Sequence, residues 1–313
     1  MSRKRNGRKL QRVGVVAKVA SREASHTAHE LSEWLRRRGL EAALDEATLR
    51  TRGVEGGARG LEDTPPFDPR EAYDLVVALG GDGTLLSVAR TLAPGVPILG
   101  VNLGNLGFLT EINRGELYPA MVQVLAGRCR TEERSLFDVE LRRNGGVPAA
   151  FRVLNDAVIT KSALARIIEL TLEVDGHLIA RFRSDGLIIS TPTGSTAYNL
   201  SAGGPILNPL LPVAVLTPIC PHALSMRPIV VPDAGPIDIT LETQREEVYL
   251  TLDGQEGTSV GYHDTVRITR SAATVRLIRV GGRSFYDNLR GKLRWGGLSG
   301  AQEGGGETGG APA

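Results

Sequence analysis

Along the first third of the chain, continuous apolar runs alternate with segments whose apolar residues recur every three or four positions. Arg12–Val19 reads as a strand. Thr27–Arg38 follows with Leu31, Trp34 and Leu35 on one face and Gly39 after it, the ending a helix favours. Glu41–Leu44 reads as a short strand, and the glycine- and proline-rich stretch Thr51–Arg70 as a loop. Tyr73–Leu79 is apolar enough for a buried strand, Gly83–Leu92 has helical spacing, Val96–Val101 is strand-like, and Leu117–Leu125 is helical. Strands that alternate with helices predict a parallel sheet, with ligands held at the carboxyl ends of its strands.

The pattern changes near residue 132. Val139–Leu141, Ile167–Val174, Leu178–Phe182, Leu187–Ser190, Val248–Leu252, Val266–Thr269 and Val275–Val280 are short strand-like segments separated by polar turns. The fold class predicted is α/β plus β: an N-terminal Rossmann-like parallel-sheet domain, then a mainly antiparallel β-sandwich. The boundaries expected are a flexible basic arm over 1–11, the α/β domain over 12–131 and the β domain over 132–280. A basic amphipathic segment over 281–295 returns to the first domain, and a disordered tail covers 296–313.

Composition narrows the function classes. The 313 residues suffice for two domains with cores of their own. A formal net charge of +2 argues against a nucleic-acid partner. No apolar run reaches membrane-spanning length, and the first residues lack the apolar core of an export signal, so no membrane partner is expected. Two cysteines, Cys129 and Cys220, form neither a disulfide framework nor a metal spacing, which predicts a cytoplasmic protein.

Three stretches carry candidate chemistry. Gly80-Gly81-Asp82-Gly83-Thr84 joins a predicted strand to a predicted helix. Glycines there permit close approach of a ligand, and the helix start favours anions. A carboxylate in such a turn would repel phosphate, so Asp82 reads either as a helix cap or as a reacting group. A second glycine-rich loop, Asn102–Leu109, falls on the same rim. Neither G-x-G-x-x-G nor G-x-x-x-x-G-K-[ST] describes the Asp82 turn. Asn155-Asp156 offers donors and acceptors that suit sugar hydroxyls, or simply a turn. Arg183–Pro205 runs from a buried strand into a loop dense in hydroxyls and glycine, with Tyr198 able to stack on a ring.

These three stretches, in this order, closely resemble the NAD kinase family: a GGDGT turn, an N-D pair, and the block Ser184-Asp185-Gly186 through Ser190-Thr191-Pro192-Thr193-Gly194-Ser195-Thr196-Ala197-Tyr198. Thr217–His222 and Arg227-Pro228-Ile229 extend the likeness, which covers about Arg12 to Leu293. Diacylglycerol and sphingosine kinases share only the turn, so a lipid kinase is the alternative, as is a non-catalytic NAD sensor. The resemblance implies a phosphotransferase with an alcohol acceptor. Asp82 would take the proton of the adenosine 2′-hydroxyl of NAD, which then attacks the γ-phosphoryl of ATP. It further implies NAD contacts from Gly83, Asn155, Asp156, Arg183, Asp185, Thr196, Ala197, Tyr198, Asn199, Leu200, Ser201, Cys220 and Gln255, with Arg166 aligned through a stretch lacking a motif. A divalent cation such as Mg²⁺, carried by ATP rather than caged by the protein, and a homodimer or homotetramer are also implied. The sequence leaves open whether polyphosphate can replace ATP.

Overall fold

The computed structural model describes residues 10–50, 64–104 and 107–295. The tail 296–313, most of the arm and much of the 51–70 loop lie outside the described residues.

The first half follows the alternation in its sequence: β1 (Arg12–Ala17), α1 (Arg22–Arg36), β2 (Glu41–Leu44), α2 (Glu46–Arg50), β3 (Leu75–Gly80), α3 (Asp82–Thr91), β4 (Pro97–Asn102), β5 (Ile112–Asn113) and α4 (Leu117–Leu125). Strands β4, β3, β1 and β2 lie side by side, all parallel. Helix α1 starts five residues earlier than the apolar spacing predicts, because the Ser21 hydroxyl accepts the Ala24 N–H at 3.2 Å. Its buried face then reads Ala24, Ala28, Leu31 and Leu35. One apolar layer packs α1 and α4 on the sheet; a second, with Leu85, Leu86 and Val88, packs α3 on the other face.

The second half is built from β6 (Arg130–Arg142), β7 (Ala149–Val153), β8 (Asp156–Lys161), β9 (Ile168–Val174), β10 (His177–Ser184), β11 (Gly186–Ser190), the short helix α5 (Tyr198–Ser201), β12 (Val213–Ile219), β13 (Ile229–Pro232), β14 (Ile237–Leu241), β15 (Val248–Leu252), β16 (Glu256–Val260), β17 (Thr265–Arg279) and α6 (Phe285–Leu293). A six-stranded antiparallel sheet, β13-β12-β11-β8-β15-β16, forms one layer. Its Ile159, Leu187, Ile189 and Leu250 meet Phe137, Val139, Leu170 and Ile268 of the other layer, closing a sandwich.

The opposing layer continues into the parallel strands. The two segments predicted over 266–269 and 275–280 are one strand, β17, whose register slips between Arg270 and Thr274 around Ser271-Ala272-Ala273. Its first part pairs with β14 inside the sandwich, while Arg276 and Leu277 pair parallel with Pro97 and Ile98 of β4. Strand β6 runs antiparallel beside it for its whole length. The two halves therefore share a backbone seam. The seam's charges are paired across the strands: Glu132 accepts from Arg279 at 3.0 Å, and Glu133 lies 3.3 Å from Arg276.

Leu277 is buried in the layer between α3 and the sheet. Leu277→Ala is expected to cost about 2–5 kcal/mol in chemical denaturation. Because the seam is shared, Trp34 fluorescence and sheet circular dichroism should report the same lowered midpoint. Two separated transitions would contradict a seam that couples the halves.

Candidate active site

Strand β3 delivers the Gly80–Thr84 turn to the carboxyl edge of the parallel sheet, and α3 begins at Asp82 itself. The N-cap is Gly81, with no side-chain cap, so Asp82 does not cap its helix. Its carboxylate instead reaches the second glycine-rich loop. Oδ2 accepts the Phe108 N–H at 2.8 Å; Oδ1 accepts the N–H groups of Leu109 at 3.1 Å and Thr110 at 3.0 Å, and the Thr110 hydroxyl at 2.8 Å. That hydroxyl also accepts from the Asn102 amide at 2.9 Å. Any Cβ at Gly107 would collide with the Asp82 carboxylate, so only glycine allows this approach.

A second carboxylate organises the Asn155-Asp156 pair. Asp253, in the left-handed region (φ 50°), turns between β15 and β16. Its Oδ2 accepts the Leu154 N–H at 3.1 Å, and its Oδ1 accepts those of Asn155 at 2.7 Å and Asp156 at 3.2 Å. The sequence analysis assigns Asp253 no role; the Asp-Gly dipeptide after the Val248–Leu252 strand pattern is the signal that exposes it. Gln255 joins the two constellations, since its Nε2 donates to the Gly83 carbonyl at 2.7 Å and its Oε1 accepts from Arg90 at 3.0 Å.

The Asp156 side chain is 4% exposed and makes no hydrogen bond among the described residues. Burial, reinforced by Asp253, pushes its carboxyl up to about 7. Burial also raises Asp253, against the pull of its three backbone donors.

The Thr191–Pro205 block is a self-bonded shelf rather than a solvated loop. Thr191 donates to the Leu154 carbonyl at 2.6 Å, and Gly194 packs on the Asn155 carbonyl where a Cβ would clash. Ser195 donates to Pro192 at 2.7 Å, and the buried Asn199 amide donates to the Ser195 and Pro205 carbonyls, both at 3.0 Å. Its Oδ1 accepts from Thr217 at 2.6 Å. The Asn199 side chain is thus committed to the shelf, whereas Tyr198 and Ser201 are exposed on it, with Thr196, Ala197 and Leu200 half-buried. A small, half-open pocket of about 20 Å³ lies between this shelf and the Asp82-bound loop, lined by Phe108, Arg134, Thr193, Thr196, Arg279 and Asn288. The Thr193 hydroxyl and the Nε and Nη1 nitrogens of the buried Arg134 guanidinium have no hydrogen-bond partner among the described residues. Burial and the nearby Arg279 lower Arg134 to about 10.

The structure separates the sequence-derived residues into two groups. Asp82, Gly83, Asn155, Asp156 and Gln255 cluster where β11 ends at Ser190, the partner of Asp156 in the sheet. Asp185 precedes the other end of β11, five residues and roughly 16 Å away. Beside it, its N–H donates to Ile219 at 2.9 Å, next to Cys220 (φ 44°), and the His222 N–H donates to the Arg183 carbonyl at 2.9 Å. Lys161 lies 3.7 Å from Asp185. The Arg166 side chain is exposed, and its N–H donates to Glu246 at 2.8 Å. Helix α5 lies over the middle of this sheet, Asn199 meeting Thr217 opposite Ile188.

Residues 13–129 match the ATP-NAD kinase N-terminal domain, and residues 154–280 the ATP-NAD kinase C-terminal domain. The chain is 47% identical over 289 residues to a NAD kinase of Solibacter usitatus, covering 92% of this chain and 98% of the relative. It is 48% identical over 288 residues to a NAD kinase of Geotalea daltonii, covering 92% and 99%. Among solved structures, it resembles yeast NADH kinase complexed with NADH (TM-score 0.85, 23% identity, 93% of this chain and 89% of that one), a likeness of fold. An Archaeoglobus fulgidus NAD kinase in complex with ATP aligns with a TM-score of 0.70 at 26% identity, covering 91% and 99%.

The raised Asp156 gives a signed pH dependence. The folded state holds this proton more tightly than the unfolded chain does. A stability penalty is therefore absent below the unfolded value near 3.9 and grows as pH rises to about 7. Asp156→Asn should raise stability at pH 8 by roughly 1–3 kcal/mol and leave it nearly unchanged at pH 4. Urea titrations at the two pH values test this; equal effects at both would contradict it.

Proposed function

The chain belongs to the ATP-NAD kinase family, and we propose that it transfers the γ-phosphoryl of ATP to the 2′-hydroxyl of the adenosine ribose of NAD. The observation that carries this reading is the fixed Asp82 carboxylate. A carboxylate offers about four lone-pair directions. Oδ1 takes three donors and Oδ2 one, so Oδ2 keeps capacity for a sugar hydroxyl. In the proposed step the ribose oxygen forms a bond to the γ-phosphorus while the bond from that phosphorus to the β–γ bridging oxygen breaks. Asp82 takes the hydroxyl proton, and ADP and NADP leave. A placed base supplies roughly 10²–10⁴-fold, and alignment with charge neutralisation supplies most of the rest.

The dinucleotide then lies along β11. Its adenosine half faces Asp82 and the Asn155-Asp156 turn, and its nicotinamide half faces Arg183, Asp185 and Cys220. Gln255 and Gly83 close the adenosine end, while Thr196, Ala197, Tyr198, Leu200 and Ser201 supply the floor between, on a shelf that Asn199 holds. Phe108 and the unpartnered groups of Thr193 and Arg134 suit the ring of a base. Arg166 belongs to the nicotinamide end in this reading. Among the described residues no three His, Cys, Asp or Glu side chains converge on a metal-holding position. In this reading a divalent cation such as Mg²⁺ arrives on the ATP phosphates and would neutralise charge on the transferred group. No described helix is long and apolar enough to cross a membrane; a cytoplasmic location is part of the same proposal.

Purified protein with NAD, ATP and Mg²⁺ should yield NADP, detected with an NADP-specific dehydrogenase, and a parallel arm with polyphosphate defines the donor. Asp82→Asn should lower kcat by roughly 10²–10⁴-fold while NAD still binds. Absence of product across donors and metals would refute the assignment, and unchanged turnover in Asp82→Asn would refute the base alone. The proposal includes a homodimer or homotetramer. Leu164 and Leu224, 99% and 96% exposed close to Arg166 and Cys220 in sequence, support an interface at the nicotinamide end. Light scattering should return two or four copies, and a strict monomer with full activity would exclude it.

A further inference from the structure

The loop that holds Asp82 is itself held from behind by the end of the chain. Leu109 gives its N–H to Asp82, and its carbonyl accepts from Arg279 at 3.4 Å. Two residues on, the Glu111 carbonyl accepts from Arg283 at 3.1 Å. The Glu111 carboxylate pairs with Arg279 at 2.8 Å and accepts the Asn288 amide of α6. Arg279 and Asn288 are 5% and 4% exposed, and Arg279 is anchored in turn on Glu132 at 3.0 Å. Helix α6 is fixed at its start by a reciprocal Ser284–Asp287 capping box.

None of these groups reaches Asp82 directly. They grip the carbonyl side of the peptide segment whose N–H side grips the carboxylate. Resting on the proposed role of Asp82 as base, we propose that Arg279, Asn288 and Arg283 are positioning residues for phosphoryl transfer: through Glu111 and Leu109 they latch the Phe108–Thr110 segment and so aim Asp82. Loosening the latch lets the donors drift and misaims the carboxylate, and small misplacements of a reacting group cost rate steeply. Phe108 is the acceptor contact carried by this segment, and the remaining contacts are on other elements, so binding falls less than turnover.

Two full-length variants test this, Asn288→Ala and, at a half-exposed position that tolerates change, Arg283→Ala. With NADP formation as the assay, kcat should fall about tenfold in Asn288→Ala and about threefold in Arg283→Ala, with KM for NAD within twofold. With 15N-phenylalanine labelling, the Phe108 amide signal should move in both variants toward its position in Asp82→Asn. The latch is overturned if kcat stays within twofold in a folded variant, if KM rises as much as kcat falls, or if the Phe108 signal stays put while kcat drops. Should Asn288→Ala not fold, Arg283→Ala decides by the same criteria. Wild-type turnover in Asp82→Asn would instead remove the base, a distinct failure.

Discussion

Two of the three candidate loops are each pinned by a carboxylate that accepts the N–H groups of consecutive residues. Asp82 takes Phe108, Leu109 and Thr110; Asp253 takes Leu154, Asn155 and Asp156. Backbone donors cannot be left bare without a cost of about 1–3 kcal/mol each, and irregular loops have no ladder partners to satisfy them. One carboxyl side chain per loop meets that demand and sets the loop's shape. The two devices face each other across the site, with Gln255 spanning from the turn of one to the helix of the other.

The arrangement gives two carboxylates different surroundings. Asp82 is half-buried with its oxygens occupied by donors, which fixes where it points. Asp156 is buried beside Asp253 without a donor among the described residues, and burial raises its carboxyl. Environment, rather than residue type, separates the two.

Much of this was legible in the chain itself. The β1–α1–β2 and β3–α3–β4 alternation followed from apolar spacing, and the three motifs marked the family. What the sequence could not display was contact at long range. The sequence could not show which groups hold Asp82, because its donors are 26 residues away, nor any role for Asp253, because its donors lie nearly a hundred residues upstream. Strand β6 begins nine residues before the predicted Val139–Leu141, since Arg130–Arg134 is polar in sequence and Glu132 and Glu133 meet Arg279 and Arg276 only across the sheet on β17. Asn199 sits in a motif dense with ligand-like groups, yet its amide is spent on its own fold.

The seam formed by β6 and β17 has a bearing on how the molecule can be recombined. A hybrid joining the front half of this chain to the back half of a relative would cut through a continuous sheet instead of a linker. Its registry depends on residues 130–135 and 274–279 recognising each other, including Glu133 with Arg276 and Glu132 with Arg279. Those two segments flank almost the entire sandwich in the chain, so they must be inherited as a matched set. The natural unit of exchange is therefore the strand pair together with everything between, not either lobe as its fold would suggest.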